Sequence, residues 1–158
     1  MLGSLTGLVA FVASLGVMFF LVPTKYIGRY LWIGLIGGMG LAILLNIVMQ
    51  NVLGYWQFHD VDILYLSRVP MFLAGVWAPL VIAFAYLVRT SRSLYLTGLI
   101  IGAFAAAASF AHWFMIIQGT LVYQNWTLLG TFILAAILHS GLFYYVHLAT
   151  EAEKAAFR

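Results

Sequence analysis

Residues 94–117 read LYLTGLIIGAFAAAASFAHWFMII, without one Asp, Glu, Lys or Arg. At about 1.5 Å per residue, a helix over this stretch is long enough to cross the ~30 Å hydrocarbon core of a bilayer. Arg89 and Arg92 precede it and Gln118-Gly119 follow it, so the apolar run is bounded at both ends. Working outward, four further stretches of the same character fill the chain: 2–22, closed by Pro23, then 30–53, 71–88 and 127–147. The fold expected is all-α, an integral membrane bundle of five transmembrane helices forming one domain over 1–158. Composition agrees, because 65% of residues are apolar and 7% charged, against about 25% charged in soluble domains. Connections this short leave no space for a soluble catalytic domain. Pro79 in the third span is expected to be a plain kink.

Charge sets the orientation. Lys25, Arg29, Arg89, Arg92, Lys154 and Arg158 fall on one side of a five-span chain and Arg68 alone on the other. Positive residues mark the cytoplasmic side, so the N-terminus is expected outside and the C-terminus in the cytoplasm of a cell membrane, the bacterial inner membrane. No basic residue precedes the first span, which reads as a retained anchor rather than a cleaved signal. Tyr26, Tyr30, Trp32, Tyr86 and Tyr95 are expected as the inner aromatic belt, and Tyr55, Trp56, Trp113, Tyr123 and Trp126 as the outer one. Basic residues scattered among turns and a tail do not form a nucleic-acid surface. The chain has no Cys, hence no disulfide and no thiolate ligand.

Helices in lipid associate through close packing of small residues and a few polar contacts. Gly98, Gly102, Ala105, Ser109, His112 and Ile116 recur at alternating steps of four and three, a stripe expected to face other helices. Gly3, Gly7, Ala10, Ser14, Val17 and Leu21 repeat the arrangement in the first span. In the second span Gly34, Gly38, Ala42, Asn46 and Gln50 form a ridge whose small end suits a close crossing. Its polar end places two amides within reach of each other or of another helix.

No Asp, Glu, Lys or Arg lies inside a span, which weakens proton-coupled transport and carboxylate-rich metal centres. The polar focus is the outer loop, where His59, Asp60 and Asp62 come together with Arg68 close behind and His112 expected at similar depth. Such nitrogen and oxygen ligands suit a divalent metal. Packed-loop hydrogen bonding, an Asp62–Arg68 ion pair or a helix cap explain the same residues. His139 is expected near the membrane middle, roughly 10 Å from the depth of His112, which disfavours a haem clamped between them. His147 reads as an interfacial residue.

From about Tyr26 to Tyr145 the sequence resembles a family of uncharacterised small five-helix integral-membrane proteins common in spore-forming Gram-positive bacteria. The residues that carry the likeness are Tyr26-Ile27 and Tyr30, Gly54-Tyr55-Trp56-Gln57-Phe58, Val61-Asp62-Ile63-Leu64-Tyr65-Leu66, Trp113 and Tyr123-Gln124-Asn125-Trp126. The resemblance implies topology rather than activity. Where members of that family carry acidic residues, this chain has His112 and Asn46 or Gln50. A fainter likeness to membrane carotenoid-cyclising and hydrating proteins rests on Gly54-Tyr55-Trp56, Val69-Pro70 and Trp77, without the carboxylates those enzymes imply.

The function expected is a non-enzymatic multi-pass membrane protein: an accessory or structural subunit that packs against partner helices, as a homo-oligomer or in a larger complex. An apolar groove of aromatic and small residues would suit a lipid or quinone near the outer leaflet. The alternatives are a membrane redox or metal-dependent enzyme subunit using the outer His/Asp cluster, and a small transporter.

Overall fold

The computed structural model describes residues 5–156, with side chains over 5–149; Gly3 lies outside the described residues. The helices are α1 (Thr6–Leu21), α2 (Thr24–Val52), α3 (Met71–Thr90), α4 (Leu94–Ile117) and α5 (Leu128–Ala156). By length and composition, α2, α3, α4 and the Leu128–Ala149 part of α5 are sufficient to cross a membrane, and α1 is a shorter apolar helix. They alternate in direction. The α1 start meets the loop before α3, where Gly7 N donates to Val61 O at 2.7 Å. The α1 end meets the α3 end, in a core that joins Met18 and Val22 to Tyr30, Phe84 and Val88.

Pro23 ends α1. The residue before a proline is driven from helical geometry, and Val22 is extended at φ −114°, ψ 117°. Pro23 also opens α2, which therefore starts six residues earlier than the apolar run, at Thr24. Those first turns carry Lys25 and Arg29, so apolarity alone missed them. Two stretches of α2, Ile33–Gly40 and Ile47–Val52, are π-helical. Pro79 lies within α3, which runs on through it to Thr90.

The most enclosed helix is α3, with 56% of its most apolar window buried against 17–22% in the other long helices. Its contact with α2 is backbone to backbone. A Cβ on Gly34 would stand 2.6 Å from Ala78 O, and one on Gly38 2.4 Å from Trp77 O. On the other side, α4 and α5 pack as an antiparallel pair, with Ala105, Ala108 and Ala135 buried between them. Ser109 Oγ donates to Leu128 O at 3.3 Å.

The small-residue stripe expected of α4 holds in part: Ala105 and Ser109 meet α5, while Gly98 and Gly102 do not. A Cβ on Gly98 or Gly102 would meet nothing within 4 Å. The buried residues of α4 are Thr97, Ala105, Ala108 and Met115, a face rotated away from those glycines. In α1 the buried residues are Gly7, Ser14 and Met18, while Val17 is exposed. The aromatic belts also shift, because Tyr30 and Trp56 are core residues at 3% and 2% exposure.

One end of the bundle is closed by short strands. Strand β1 (Trp56–Phe58) pairs antiparallel with β4 (Leu121–Tyr123), setting Trp56 opposite Tyr123. Between them β2 (Tyr65–Leu66) and β3 (Val69–Pro70) form a hairpin. Its two turn residues, Ser67 and Arg68, both take positive φ, 49° and 67°. This is the sense that matches strand twist and that glycine ordinarily supplies. Side-chain amides hold the turn there: Asn51 Nδ2 donates to Ser67 O and Gln50 Nε2 to Arg68 O, each at 2.9 Å.

Candidate functional site

Of the loop residues grouped by their sequence proximity, His59, Asp60 and Arg68 share one cleft and Asp62 is turned away from it. Asp62, 3% exposed, is turned inward as a cap. Its Oδ2 accepts from Phe72 N at 2.6 Å and Leu73 N at 3.0 Å, and its Oδ1 from Ile63 N at 2.8 Å. The first turn of α3 thus receives a buried carboxylate for its otherwise orphaned amides. A Cβ on Gly7 would lie 2.8 Å from the same Oδ2, so the α1 backbone closes over the cap. Of the alternatives for Asp62, the helix cap is the one seen, and it forms no ion pair with Arg68.

His59, Asp60 and Arg68 instead border an open cleft on the cap's surface with Gln50 and Tyr65. Asp60 turns the chain at φ 44°, which places its neighbours on different sides of the loop. Among the described residues no three His, Asp or Glu gather closely enough to hold a metal ion. Gln50 and Asn46 do not bond each other. Gln50 ties β1 to the hairpin, since Oε1 accepts from Phe58 N at 3.0 Å while Nε2 serves Arg68 O.

His112 belongs to a second and more enclosed polar group. Trp56 Nε1 donates to Asn46 Oδ1 at 3.2 Å, and Asn46 Nδ2 donates to Ala42 O at 2.9 Å. Trp126 Nε1 donates to Thr131 Oγ1 at 2.9 Å. Thr131 Oγ1 and Tyr123 OH are 2.6 Å apart, and Tyr123 OH and His112 Nδ1 are also 2.6 Å apart. The Trp56 ring meets His112 edge-on at 5.4 Å and Trp126 at 5.7 Å. Burial pushes the Tyr123 phenol above its usual pKa, with the Thr131 bond opposing, so it stays protonated at neutral pH.

Two chambers adjoin this group. One, of about 90 Å³, lies among α2, α3, α4 and α5 and is bordered by Gly38, Asn46, Trp77, His112, Thr131 and His139. The other, of about 410 Å³, opens between α1, α3 and α4 and is bordered by Val17, Leu80, Phe104, Ala107 and Ala111. Asn46, Trp77, Ala108 and His112 border both. His139 and His112 border the same chamber, with His139 beside Phe104, eight residues along α4 from His112. His139 Nδ1 is 2.7 Å from Ala135 O, and its Nε2 is buried without a partner. The ring is surrounded by Phe84, Phe104 and Trp77 at 4.9, 5.5 and 5.9 Å.

No family model, no curated protein and no solved structure matches the chain. Trp56, Tyr123, Trp126 and Thr131 are not legible in the sequence as members of the polar group, because aromatics at that depth fit an outer belt equally well. The usable signal was the pairing of two short alternating segments, 56–58 and 121–123, flanking the helices that carry Asn46 and His112.

Proposed function

We propose that the chain is a non-enzymatic, multi-pass protein of the bacterial inner membrane that houses a lipid-class molecule between its helices. Its further role is as an accessory subunit, in a homo-oligomer or a larger membrane complex. Five crossings with the N-terminus outside place Lys25, Arg29, Arg89 and Arg92 in the cytoplasm and the stranded cap, with its single Arg68, outside. The resemblance to small five-helix membrane proteins is consistent with this arrangement.

The observation that carries the proposal is the pair of chambers meeting at Trp77, Ala108 and His112. Protein interiors are otherwise close-packed, and apolar walls with a few polar groups are the usual form of a small-molecule site. Gly98 and Gly102 support the partner-helix part. They stand four apart, a Cβ on either would meet nothing within 4 Å among the described residues, and small residues at that spacing allow two helices to approach closely.

Purification from membranes in mild detergent, followed by lipid mass spectrometry and a light-scattering mass, tests both parts. The expected result is a stoichiometric lipid-class molecule and a protein mass above that of one chain. A monodisperse monomer carrying neither lipid nor partner would contradict it.

A further inference from the structure

At the end of the bundle away from the stranded cap, the α3–α4 turn meets the later part of α5 and leaves a cleft of about 320 Å³. Arg89 from α3, Arg92 and Ser93 from the turn, and His147 from α5 border its polar part. Val88, Leu94, Phe143 and Val146 border the rest. Arg92, Ser93, Leu94 and His147 are exposed, so the cleft is reached from the surface. The turn is fixed from within. Ser91 Oγ and the buried Thr97 Oγ1 both donate to Ser93 O, each at 3.1 Å. Ser93 Oγ accepts from Leu96 N at 3.1 Å, and its own proton has no acceptor among the described residues. Arg92 makes no hydrogen bond or ion pair with any described residue.

Among the described side chains no carboxylate borders this cleft. Of the four acidic residues in the chain, Asp60 and Asp62 belong to the cap, while Glu151 and Glu153 follow on α5 with Lys154 and Arg158, which balance them in charge. The cleft therefore presents positive charge and a hydroxyl donor beside an apolar wall. A guanidinium pairs with phosphate through two parallel N–H···O bonds, and Ser93 Oγ–H suits a further phosphate oxygen. A free phosphate ion gains nothing from Leu94, Phe143 and Val146, whereas acyl chains do. A zwitterionic headgroup would bring its own cation to the guanidinium groups, so an anionic one fits better.

We propose that this cleft binds the phosphate of an anionic phospholipid, with Arg92 and Ser93 Oγ on the phosphate oxygens and the acyl chains against Leu94, Phe143 and Val146. Basic pockets between the cytoplasmic ends of membrane helices are a recurring form of such a site. A lipid held there ties the α3–α4 turn to α5. The inference rests on the reading of the chain as a membrane protein and not on what the two chambers hold.

The test is native mass spectrometry of the purified full-length protein, mixed in detergent with equal amounts of dioleoyl phosphatidylglycerol and dioleoyl phosphatidylcholine. Retention of one phosphatidylglycerol is expected, at least about fivefold in preference to phosphatidylcholine. Arg92→Gln should bring the two lipids to within about twofold of each other while leaving the melting temperature unchanged, because Arg92 is exposed and makes no described contact. Arg68→Gln, which removes the guanidinium of the cap, should leave the preference as it was. A large excess of ammonium phosphate should not displace the lipid. Equal retention of the two lipids, a preference unmoved by Arg92→Gln, or one lost equally with Arg68→Gln would overturn the proposal. Displacement by phosphate would mark a site for the free ion and overturn the lipid assignment. Recovery of the protein in the soluble fraction without detergent would remove the membrane reading itself, whereas loss of the preference in protein extracted from membranes sinks this site alone.

Discussion

Asp62→Ala is expected to lower the melting temperature of the detergent-solubilised protein by on the order of 10 °C and to reduce its accumulation in membranes. The carboxylate accepts three backbone amides, Ile63 N, Phe72 N and Leu73 N, at a site only 3% exposed. Each buried amide left without an acceptor costs about 1–3 kcal/mol. With some entry of water the sum is about 3–5 kcal/mol, and in a chain of this size each kcal/mol is worth about 2–4 °C. Asp62→Asn keeps an amide oxygen that accepts one or two of the three bonds, so it should fall between wild type and Asp62→Ala. His59→Ala, in the open cleft, should leave the melt within about 1 °C, as exposed substitutions generally do. A melt of Asp62→Ala within 2 °C of wild type would show that the cap does not hold α3 to the loop and α1.

The second large effect separates two pairs of glycines with the same spacing. Gly38→Ala places a methyl 2.4 Å from Trp77 O and 2.9 Å from Ala78 Cα. These are backbone atoms and cannot rotate away, so α2 and α3 must separate along the most buried face of the bundle. Overpacking of this kind costs about 1–3 kcal/mol, and Gly34→Ala, 2.6 Å from Ala78 O, should behave alike. Gly98→Ala and Gly102→Ala meet nothing within 4 Å. They should leave the melt of the isolated chain unchanged or raise it, since alanine is favoured over glycine in a helix by up to about 1 kcal/mol. Any harm they do should appear as lost association with a partner. The reverse order of melting temperatures would mean that the helix faces are assigned wrongly.

This contrast shows what the sequence could and could not convey. The apolar lengths were legible because the hydrophobic count alone sets them, and 94–117 is bounded the same way by its flanking residues and by its hydrogen bonds. Gly34-x-x-x-Gly38 and Gly98-x-x-x-Gly102 are equivalent as patterns. Spacing records that a helix can be approached closely, while the partner depends on where other helices lie. The outer loop failed for a related reason. His59, Asp60 and Asp62 are neighbours in the chain, but the capping of α3 turns Asp62 inward and leaves His59 and Asp60 in the open cleft with Arg68. Conversely, Asn46, Trp56, His112, Tyr123 and Thr131 are distant in sequence and are brought together by the pairing of β1 with β4. Trp56 has the depth of a belt residue, yet it is 2% exposed because its indole N–H is spent on Asn46.

The membrane arrangement proposed for the chain has the stranded cap facing outward and the Arg89–Arg92 turn facing inward. The chain has no native cysteine, so single cysteines report sidedness without background. Asn125→Cys, in the cap, and Arg92→Cys, in the turn before α4, are both exposed positions. With a membrane-impermeant maleimide applied to intact cells, the expected result is labelling of Asn125→Cys at once and of Arg92→Cys only after permeabilisation. Labelling of both from outside, or of Arg92→Cys alone, would contradict the arrangement of five crossings with the cap outside.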